Sequence, residues 1–541
     1  MSELSSRGFL KGTALAVAGA ASVGLMACAS KEQGTADGAK EAAISWDEEY
    51  DVVVVGSGLA GASAAVSVAV EGNGETCLLL EKSPYALGGG NSPYSGGQVL
   101  YTDKENYEGC LQYLKDLRGP FDTTSDDVLE AYATYLQDNF NFLKSLGAKE
   151  EDYTFEDPGK LEGQSCWPEY PEFESAWHIG HVIFTGEEIK TVSMFMLSVI
   201  EQHTDVITHK TEAPATSLIQ DQESKAILGV VYLEGGSEVK VKANKAVIMC
   251  CGGFESNQTM RQDYLSLVHA HPLAGVYNTG DGFPMCQKVG ASMWHMNSMA
   301  GGWTNAVTVD GVQHAGYGVL AKEKGIVVGI SGRRYFMDVD YGVKLDWETT
   351  KAGGATNETE VGCKHGHSNY GGEWPHAHQP EKSWFLFDNA NKIAALSGLS
   401  GSMLTENPEE DGWGFQADTI SELARKINVP EKELETTINS WNRDCAAGLD
   451  TAFYRPAHWM TSIVEPPFYA ICQEPILLNT DGGPKRNAKG QVLDLDDTPI
   501  PNLYSSGEFG SIWCNMYQGG GNLGECVAFS RICVNNALGL S

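Results

Sequence analysis

Three glycines, Gly56, Gly58 and Gly61, have the spacing G-x-G-x-x-G, which indicates a binding site for a phosphate-containing ligand. In that pattern the first glycine permits a tight turn, the second lets backbone approach a pyrophosphate, and the third allows close packing of a helix on a strand. Unpaired N–H groups at the start of that helix would bind phosphate. We therefore predict a dinucleotide site, and we assign Ser57 and Ala60 to it as well.

The residues around this motif complete a βαβ unit. The apolar run 52–55 predicts a buried strand, the Ala- and Val-rich stretch after Gly61 predicts a helix, and the run 77–80 predicts a second strand. Glu81 ends that strand, where an acid would accept hydrogen bonds from a ribose, and Lys82 is assigned to the same site. The alternative interpretation is a glycine-rich turn in an ordinary α/β core.

A second glycine-rich stretch, residues 86–97, indicates backbone packed against a flat or close group. It resembles the GGxS…SGG loop that lines the isoalloxazine ring in flavoproteins related to fumarate reductase and 3-ketosteroid dehydrogenase. Covalent members carry a histidine just before this loop, whereas this chain has Tyr85-Ala86-Leu87. The resemblance therefore implies FAD bound non-covalently, with these loop residues at the cofactor: Gly89, Gly90, Asn91, Ser92, Gly96 and Gly97.

Later motifs extend the resemblance to the FAD-dependent oxidoreductase 2 superfamily over about residues 50–538. They are the strand and glycines of 245–254, the TGDG turn at 279–282, the closing motif at 504–510, and the glycines 519–524 before the last helix. Each motif alone would be a tight turn, but their joint order is specific. The resemblance implies these further cofactor contacts: Ala213, Gly252, Gly253, Asp281, Glu508, Asn522 and Leu523.

The pattern as a whole predicts an α/β fold: a Rossmann-like FAD-binding domain with an inserted, α+β substrate-capping domain. We predict an export signal at 1–28, a linker at 29–46, the FAD-binding domain at 47–290 and 479–541, and the cap at 291–478. Periodicity predicts helices at 128–146, 189–203, 419–429, 430–448 and 525–538. It also predicts a strand at 206–208 and an antiparallel patch within 212–241 that turns at Gly235-Gly236.

Several positions depart from the fumarate reductases, which clamp both substrate carboxylates with histidines and arginines and use one arginine as the acid. The turn 332–338 matches the family, but residues 339–342 lack that arginine. Asn479 stands where a carboxylate-binding histidine is usual, and Gln518 stands where a late arginine is usual. A C4-dicarboxylate would lose charge-assisted binding in such a pocket, so we place the chain nearer the ene-reductases that do not act on dicarboxylates.

The ketosteroid-type relatives fit these positions better, and the resemblance implies three catalytic residues. Tyr341 occupies the place of their tyrosine acid or base, while Tyr517 and the N–H of Gly521 reproduce their site for a substrate carbonyl. Two such donors would stabilise an enolate. Arg333 and Arg334 would either tune the tyrosine pKa or pair with carboxylates of the cap.

We therefore predict an FAD-dependent enzyme that reduces a C=C bond conjugated to a carbonyl in an enone, a lactone or a steroid-like molecule. One alternative is the reverse reaction, desaturation of a ketone or steroid, and another is reduction of a different unsaturated acid. A non-enzymatic alternative is a flavin-binding lipoprotein that relays electrons. The chain has no haem-attachment motif, so a separate membrane or periplasmic carrier of the cytochrome or quinol type would supply electrons.

Two clusters in the predicted cap were weighed for other roles. Cys363-Lys364-His365-Gly366-His367, with His376 and His378, could bind zinc or copper, but such histidines are more often surface or pocket groups, and we predict no metal.

The thirteen cysteines include no C-x-x-C; the pair at 250–251 is expected to be core thiols. A second set could line an apolar pocket or form an ordinary core: Trp294, His295, Trp303, Trp374 and Trp384.

Charge and the N-terminus bear on partners and location. Acidic residues outnumber Lys and Arg by 71 to 37, which gives a formal net charge of −34 and argues against nucleic acid or an anionic membrane surface as a partner. The segment 5–11 followed by the small apolar run 13–27 resembles a twin-arginine export signal, with Ser6 in place of the first arginine. Residues 25–28 resemble a lipobox. We predict a cell-envelope lipoprotein anchored at Cys28.

The lipid anchor is testable by fractionation. Cys28→Ala should remove the site of lipidation and move the protein from the membrane to the soluble fraction, because one apolar run this short would not hold it there. Cys110→Ala serves as the matched cysteine control. A Cys28→Ala protein that sediments with membranes as the wild type does would contradict the prediction.

Overall fold

A computed structural model describes residues 44–86, 88–95, 97, 99–119, 123–148, 175, 177–179, 183–185, 188–267, 270–273, 275–309, 312–316, 322–335, 382–396, 407–410, 412–455, 457–514 and 520–540. The predicted export signal with Cys28, most of the predicted linker, the Cys363–His378 cluster, Trp374 and Gln518 lie outside this set. None of the helices in the described ranges is both long and apolar enough to cross a bilayer.

The strands are numbered in chain order. They are β1 Glu48–Val55, β2 Cys77–Leu80, β3 Val99–Tyr101, β4 Trp177–Ile179, β5 Ile183–Thr185, β6 Glu188–Lys190, β7 Ile207–Lys210, β8 Ala215–Gln220, β9 Ile227–Glu234, β10 Ser237–Met249, β11 His271–Pro272, β12 Met293–Trp294, β13 Met299–Val309, β14 Val312–Gly316, β15 Ile326–Gly329, β16 Ser383–Asp388, β17 Phe415–Ala417, β18 Phe468–Thr480, β19 Gly483–Pro484, β20 Gln491–Leu493 and β21 Pro499–Ser505.

The α-helices are numbered in the same way. They are α1 Leu59–Glu71, α2 Tyr107–Arg118, α3 Asp126–Ser145, α4 Val192–Gln202, α5 Gln258–Leu265, α6 Gly282–Lys288, α7 Lys392–Ala395, α8 Ile420–Lys426, α9 Glu431–Ala447 and α10 Gly521–Leu538. Short 3₁₀ turns are found at Ser92–Tyr94, Lys322–Lys324, Asn389–Asn391 and Ala457–Trp459.

The first sheet contains the predicted βαβ unit at its centre. Its strand order is β20-β21-β10-β1-β2-β7, with β9 on β10 and β8 on β9. Strands β7, β2, β1, β10 and β21 run parallel to one another. The apolar residues of β1 and β2 are buried on both faces of the sheet. Helices α1 and α10 pack on one face, as expected for a buried parallel sheet. This is the predicted Rossmann-like arrangement.

Strand β10 joins two stretches that the sequence suggested were separate. Its first half pairs antiparallel with β9 across the Gly235-Gly236 turn, and the same strand continues parallel to β1 as far as Met249. The predicted antiparallel patch therefore grows directly out of the central sheet. Turn residues and apolar runs mark the ends of strands but do not show which partners one long strand will have.

The second sheet is built around the long strand β18. Its order is β14-β13-β18-β16-β15, with β11 and β17 also pairing with β18. Helices α8 and α9 cover it through an apolar core that includes Leu423, Leu434 and Trp441. Most of these strands fall within 291–478, the predicted cap. The domain boundaries at 290 and 478 stay a prediction.

Three predicted elements have different ends. Helix α4 begins at Val192 rather than at 189, because 188–190 pair with β5 as a strand. The last helix begins at Gly521 rather than at 525, and the strand predicted at 206–208 extends to Lys210 as β7. Helices α8 and α9 lie within the two predicted segments, and Trp384 packs in the sheet core beside Phe415, as the packing alternative expected.

A buried ion pair that the sequence did not indicate joins the last helix to the sheet. Arg486 and Glu525 form an ion pair with no exposed side-chain surface on either partner. The guanidinium donates to the carbonyl oxygen of Ser505 at 3.1 Å, and Glu525 accepts from the hydroxyl of Ser511 at 2.8 Å. Burial lowers the pKa of Arg486 to about 10. The pair therefore links α10 to the ends of β20 and β21.

Removing one partner of this pair should destabilise the protein. Arg486→Met leaves Glu525 buried without its cation, so the free energy of unfolding should fall by about 3–5 kcal/mol. Denaturant titration measures this. Arg333→Met, which breaks an exposed pair with Glu433, is the matched control and should change stability little. An equal fall in the free energy of unfolding for the two variants would show that the buried pair contributes no more to stability than the exposed pair.

Candidate functional site

A cleft lies at the carboxyl ends of β1, β2, β10 and β21. Ligands of open α/β sheets bind at this edge. Many of the predicted cofactor residues line it, although they come from distant parts of the chain. They are Gly56, Gly58, Ala60, Glu81, Lys82, Gly90, Asn91, Ser92, Ala213, Gly252, Asp281 and Glu508.

Glycine is suited to each of the three fingerprint positions for a different physical reason. Gly56 has φ of +100°, and a Cβ there would lie 2.3 Å from the carbonyl oxygen of Cys250. A Cβ on Gly61 would lie 1.7 Å from the carbonyl oxygen of Gly56. A Cβ on Gly58 would meet only the Ser92 hydroxyl, at 3.3 Å. The fold itself therefore demands glycine at 56 and 61, whereas at 58 the open space faces the cleft.

Glu81 is buried and orders the turn before α1. One carboxylate oxygen accepts from the N–H of Ser57 at 3.0 Å, and the other accepts from the N–H of Ser83 at 2.8 Å. Ser57 lies behind Glu81 rather than on the cleft wall. The predicted role of Glu81 toward a ribose stays a prediction, but the carboxylate does reach the cleft.

Lys82 and Asp281, nearly 200 residues apart, form an ion pair at the cleft. The lysine Nζ also donates to the hydroxyl of Thr279 at 2.7 Å. The TGDG turn is thereby tied to the end of β2. Two predicted cofactor residues thus meet, although each came from a separate motif.

The loop glycines pack around two side chains that the sequence did not single out. A Cβ on Gly90 would lie 2.9 Å from Oδ1 of Asn278, and one on Gly252 would lie 2.7 Å from the same atom. A Cβ on Gly89 would lie 2.2 Å from the ring of Tyr277. Asn278 and Tyr277 both line the cleft. These glycines therefore serve protein packing as well as the cleft.

Two carboxyl groups stand together at the cleft wall, and only Glu508 was predicted. Glu255 is fully buried behind Glu508 and accepts from Nδ2 of Asn91 and of Asn278, each at 2.6 Å. Burial raises the pKa of both carboxyl groups, and the charge of Glu255 adds to the rise at Glu508. An acid pair thus stands at the cleft wall, with Glu508 lining the cleft and Glu255 buried behind it.

Some predicted residues lie off the cleft. Gly253 packs against Thr480 and the two acids, Leu523 packs on the apolar core beside α1, and Gly97 has φ of +74° in the loop before β3. Gly521 begins α10, and its carbonyl oxygen accepts from the hydroxyl of Tyr132 at 2.9 Å. Asn522 follows it in the first turn of α10. Gly96, Tyr341 and Tyr517 lie outside the described ranges, so their placement stays a prediction.

The arginines of the 332–338 turn are held by carboxylates. Arg334 is buried, contacts both oxygens of Asp450 at 3.0 and 2.9 Å, and stacks on the ring of Trp441 at 4.7 Å. Burial opposes ionisation of Asp450, but the hydrogen bonds from Arg334 outweigh it and lower the pKa. Arg333 pairs with Glu433 at the surface. Both arginines thus pair with carboxylates of the predicted cap, the second of the two alternatives.

Asn479 stands where a carboxylate-binding histidine is usual, and it donates a hydrogen bond to an acid. Its Nδ2 donates to Asp481 at 2.9 Å, and Asp481 also accepts from the hydroxyl of Ser298 at 2.9 Å. All three residues are buried. His295 and Trp294 stack beside them, with hydrogen bonds to the carbonyl oxygens of Ser511 and Gly510.

The residues that sequence reasoning missed stand next to motifs that it recognised. Glu255 follows the glycines of the 245–254 motif, and Asn278 precedes the TGDG turn. Cys250 and Cys251 were expected only in the core, yet both line the cleft, where burial raises the pKa of the Cys251 thiol to about 12. Position beside a cofactor motif was the available signal.

Comparison with known proteins identifies the family. Residues 51–523 match the family described as FAD binding domain. The chain belongs to this family, so the predicted superfamily, the α/β fold and FAD as cofactor are confirmed. The chain is a flavin-dependent oxidoreductase.

Individual relatives span nearly the whole chain at low identity. Digoxin reductase from Eggerthella lenta is 26% identical and aligns over 93% of this chain and 90% of the relative. A 3-oxosteroid 1-dehydrogenase from Mycolicibacterium smegmatis is 24% identical over 90% of this chain and 96% of the relative. The solved structure of 3-ketosteroid Δ1-dehydrogenase from Sterolibacterium denitrificans superposes with a TM-score of 0.66 at 20% identity and covers 91% of this chain and 100% of that chain. That superposition shows the shared fold.

The residues of the cleft fit FAD. The N-terminus of α1 is bare of side chain at Gly58, where a pyrophosphate needs close approach to backbone. The carboxyl group of Glu508 can accept from hydroxyl groups. Within the described part of the chain, the buried Oδ1 atom of Asn91, which lines the cleft, has no hydrogen-bond partner, so it can still accept from a ligand. Non-covalent attachment stays a prediction.

The difference between the fingerprint glycines is directly testable. Gly58→Val should leave a folded apoprotein but weaken FAD binding by about tenfold or more, because the side chain fills space that only a ligand would use. Flavin fluorescence titration of the apoprotein measures the affinity. Gly61→Val is the contrasting variant and should fail to fold. A Gly58→Val protein that binds FAD as tightly as wild type would contradict the assignment.

Proposed function

We propose that this flavin-dependent oxidoreductase reduces a C=C bond conjugated to a carbonyl group, in an enone, a lactone or a steroid-like molecule. Relatives named as a digoxin reductase and a 3-oxosteroid 1-dehydrogenase, each aligned over at least 90% of this chain, support oxidoreduction of carbon–carbon bonds beside a carbonyl. FAD, when bound, supplies or accepts the hydride. The chain itself must then bind the substrate and move a proton.

The observation that supports a neutral substrate is that Arg333 and Arg334 are each paired with a carboxylate of the chain. Arg334 is held by buried Asp450, and Arg333 is held by Glu433. Around the cleft, Lys82 is paired with Asp281, and Glu508 and Glu255 add negative charge. A dicarboxylate would need cations free to bind both ends and would meet repulsion from these acids. A neutral ketone, ester or lactone does not have this cost.

The proposed catalytic groups are phenols and a backbone N–H. Tyr341 would hold the proton that is exchanged at the α-carbon. Tyr517 and the N–H of Gly521 would donate to the substrate carbonyl oxygen and stabilise the negative charge that develops there. Gly521 is the first residue of α10. The partial positive charge of a helix N-terminus would favour that negative charge.

Desaturation of a saturated ketone is the second candidate. The relationship to a 3-oxosteroid 1-dehydrogenase specifically favours it. The same groups would serve both directions by microscopic reversibility, with Tyr341 as base rather than acid. The reduction potential of the flavin and the potential of its partner carrier set the direction.

We also propose export to the cell envelope, anchorage at Cys28, and a separate electron carrier. The formal net charge of −34 favours a carrier with a basic docking face, because opposite charges speed encounter. A cytochrome-type donor with such a face meets this description, and a quinol is the alternative donor. The non-enzymatic alternative, an electron relay, makes use of the same carrier without a substrate.

The decisive experiment is anaerobic reoxidation of the reduced protein. The bleached flavin should regain its yellow colour with an enone or an unsaturated lactone, and slowly or not at all with fumarate or a urocanate-like acid. Rapid reoxidation by fumarate would overturn the neutral-substrate proposal. Reoxidation by none of the compounds, together with reduction of the flavin by saturated ketones, would establish the dehydrogenase direction. Inertness toward all of them would favour the electron relay.

Substitution of the tyrosines tests their proposed roles. Tyr341→Phe should lower kcat by about 10²–10⁴-fold with FAD still bound, the usual contribution of a general acid. Tyr517→Phe should also lower kcat, because one donor to the carbonyl oxygen is lost. Tyr454→Phe, at an exposed tyrosine, is the control and should leave kcat unchanged. An unaltered kcat in Tyr341→Phe would reject its role.

A further inference from the structure

The acid pair at the cleft wall is bridged by neutral donors. Asn91 Nδ2 lies 2.6 Å from Oε1 of Glu255 and 3.2 Å from Oε2 of Glu508. Thr480 donates through its N–H to Glu508 at 3.2 Å and through its hydroxyl to Glu255 at 3.4 Å. Each acid is therefore oriented toward the other. Among the residues that the structure describes, neither carboxyl group is paired with a lysine or arginine.

The two carboxyl groups share a hydrogen bond. A Cβ built on Gly253 would lie 2.3 Å from Oε1 of Glu508 and 2.5 Å from Oε2 of Glu255, so both oxygens border the same small space. Two carboxylates at such a distance, away from bulk water, would repel strongly. A single proton between them removes that repulsion and leaves one negative charge on the pair.

We propose that Glu255 and Glu508 hold one proton between them, and that Glu255 is a positioning residue that keeps Glu508 ready to accept hydrogen bonds from the hydroxyl groups of FAD. Glu508 carries the proton and donates it toward Glu255, which keeps the charge because it also accepts two amide hydrogen bonds at 2.6 Å. Glu508 lines the cleft, and its other carboxyl oxygen remains an acceptor. The proposal depends on FAD as the cofactor and not on the identity of the substrate.

The other charged and titratable groups around the pair do not replace this proton. Asp481 adds negative charge and raises the pKa of Glu508 further. Arg261, on α5, donates to the main-chain carbonyl oxygen of Glu255 rather than to its carboxyl group. The Cys526 thiol, on α10, has its pKa raised by burial to about 12, so it stays neutral. Across the cleft, Glu81 accepts from backbone N–H groups, and Lys82 is paired with Asp281.

A pH dependence of FAD binding follows from this arrangement. The pyrophosphate adds negative charge to the cleft, and the bound cofactor removes water from Glu508. Both effects favour the protonated pair, so the pKa of the pair should be higher with FAD bound than without it. At a pH where the acid pair of the apoprotein has lost its proton, FAD binding is accompanied by uptake of one proton. The affinity for FAD should consequently fall as pH rises through the pKa of the apoprotein.

Titration of wild-type apoprotein with FAD tests the proton directly. Calorimetry in buffers of different ionisation enthalpy, between about pH 6 and about pH 9, should show proton uptake and a Kd that rises by up to about tenfold per pH unit. The readout needs no turnover, so it stands or falls separately from the proposed reaction. A Kd independent of pH, without proton uptake, would overturn the proposal.

Substitutions assign the proton to the pair. Glu508→Gln mimics the protonated acid, so Kd near neutral pH should resemble wild type while the pH dependence disappears. Glu255→Gln removes the negative charge that keeps the proton on Glu508, so the pH dependence should disappear from this range as well. Glu433→Gln, on the cap surface, should retain the wild-type profile. A wild-type profile in Glu255→Gln would refute the proposal, and if that variant fails to fold, proton uptake by the wild type decides.

Discussion

The contact between the start of α1 and the strands beside it is the constraint on which the site depends. A Cβ at either Gly56 or Gly61 would overlap a carbonyl oxygen, so only glycines let the helix begin this close to β1 and β10. The helix N-terminus therefore lies at the carboxyl ends of the parallel strands. The first residues of α1 and the acids that follow the neighbouring strands, Glu81 and Glu508, then line one cleft.

Three cations in the described part of the chain are paired with acids. Arg486 is matched by Glu525, Arg334 by Asp450, and Lys82 by Asp281. The two arginine side chains are buried and stabilise junctions between elements, whereas Lys82 and Asp281 are partly exposed. Among the described residues, the acids at the cleft wall have no such cation, and a shared proton relieves their repulsion. The hydroxyl groups of FAD can donate hydrogen bonds to such an acid pair.

Much of the fold was accessible from local pattern. The βαβ unit, the turn at Gly235-Gly236 and helices α8 and α9 were predicted close to their observed places, because glycine spacing and apolar periodicity act over a few residues. The continuity of β10 and the strand at 188–190 were not predicted. Both depend on pairing with distant strands, and a short apolar run has no preference of its own strong enough to reveal its partner.

The sequence by itself determined the nucleotide fingerprint, the acids Glu81 and Glu508, and the departures from a dicarboxylate site, since each is a matter of residue type at a given spacing. Only the tertiary structure decided that Lys82 meets Asp281, that Arg334 is held by Asp450, and that Glu255 lies behind Glu508. These contacts join residues more than a hundred positions apart. Their energies come from burial and proximity, which exist only once the chain has folded.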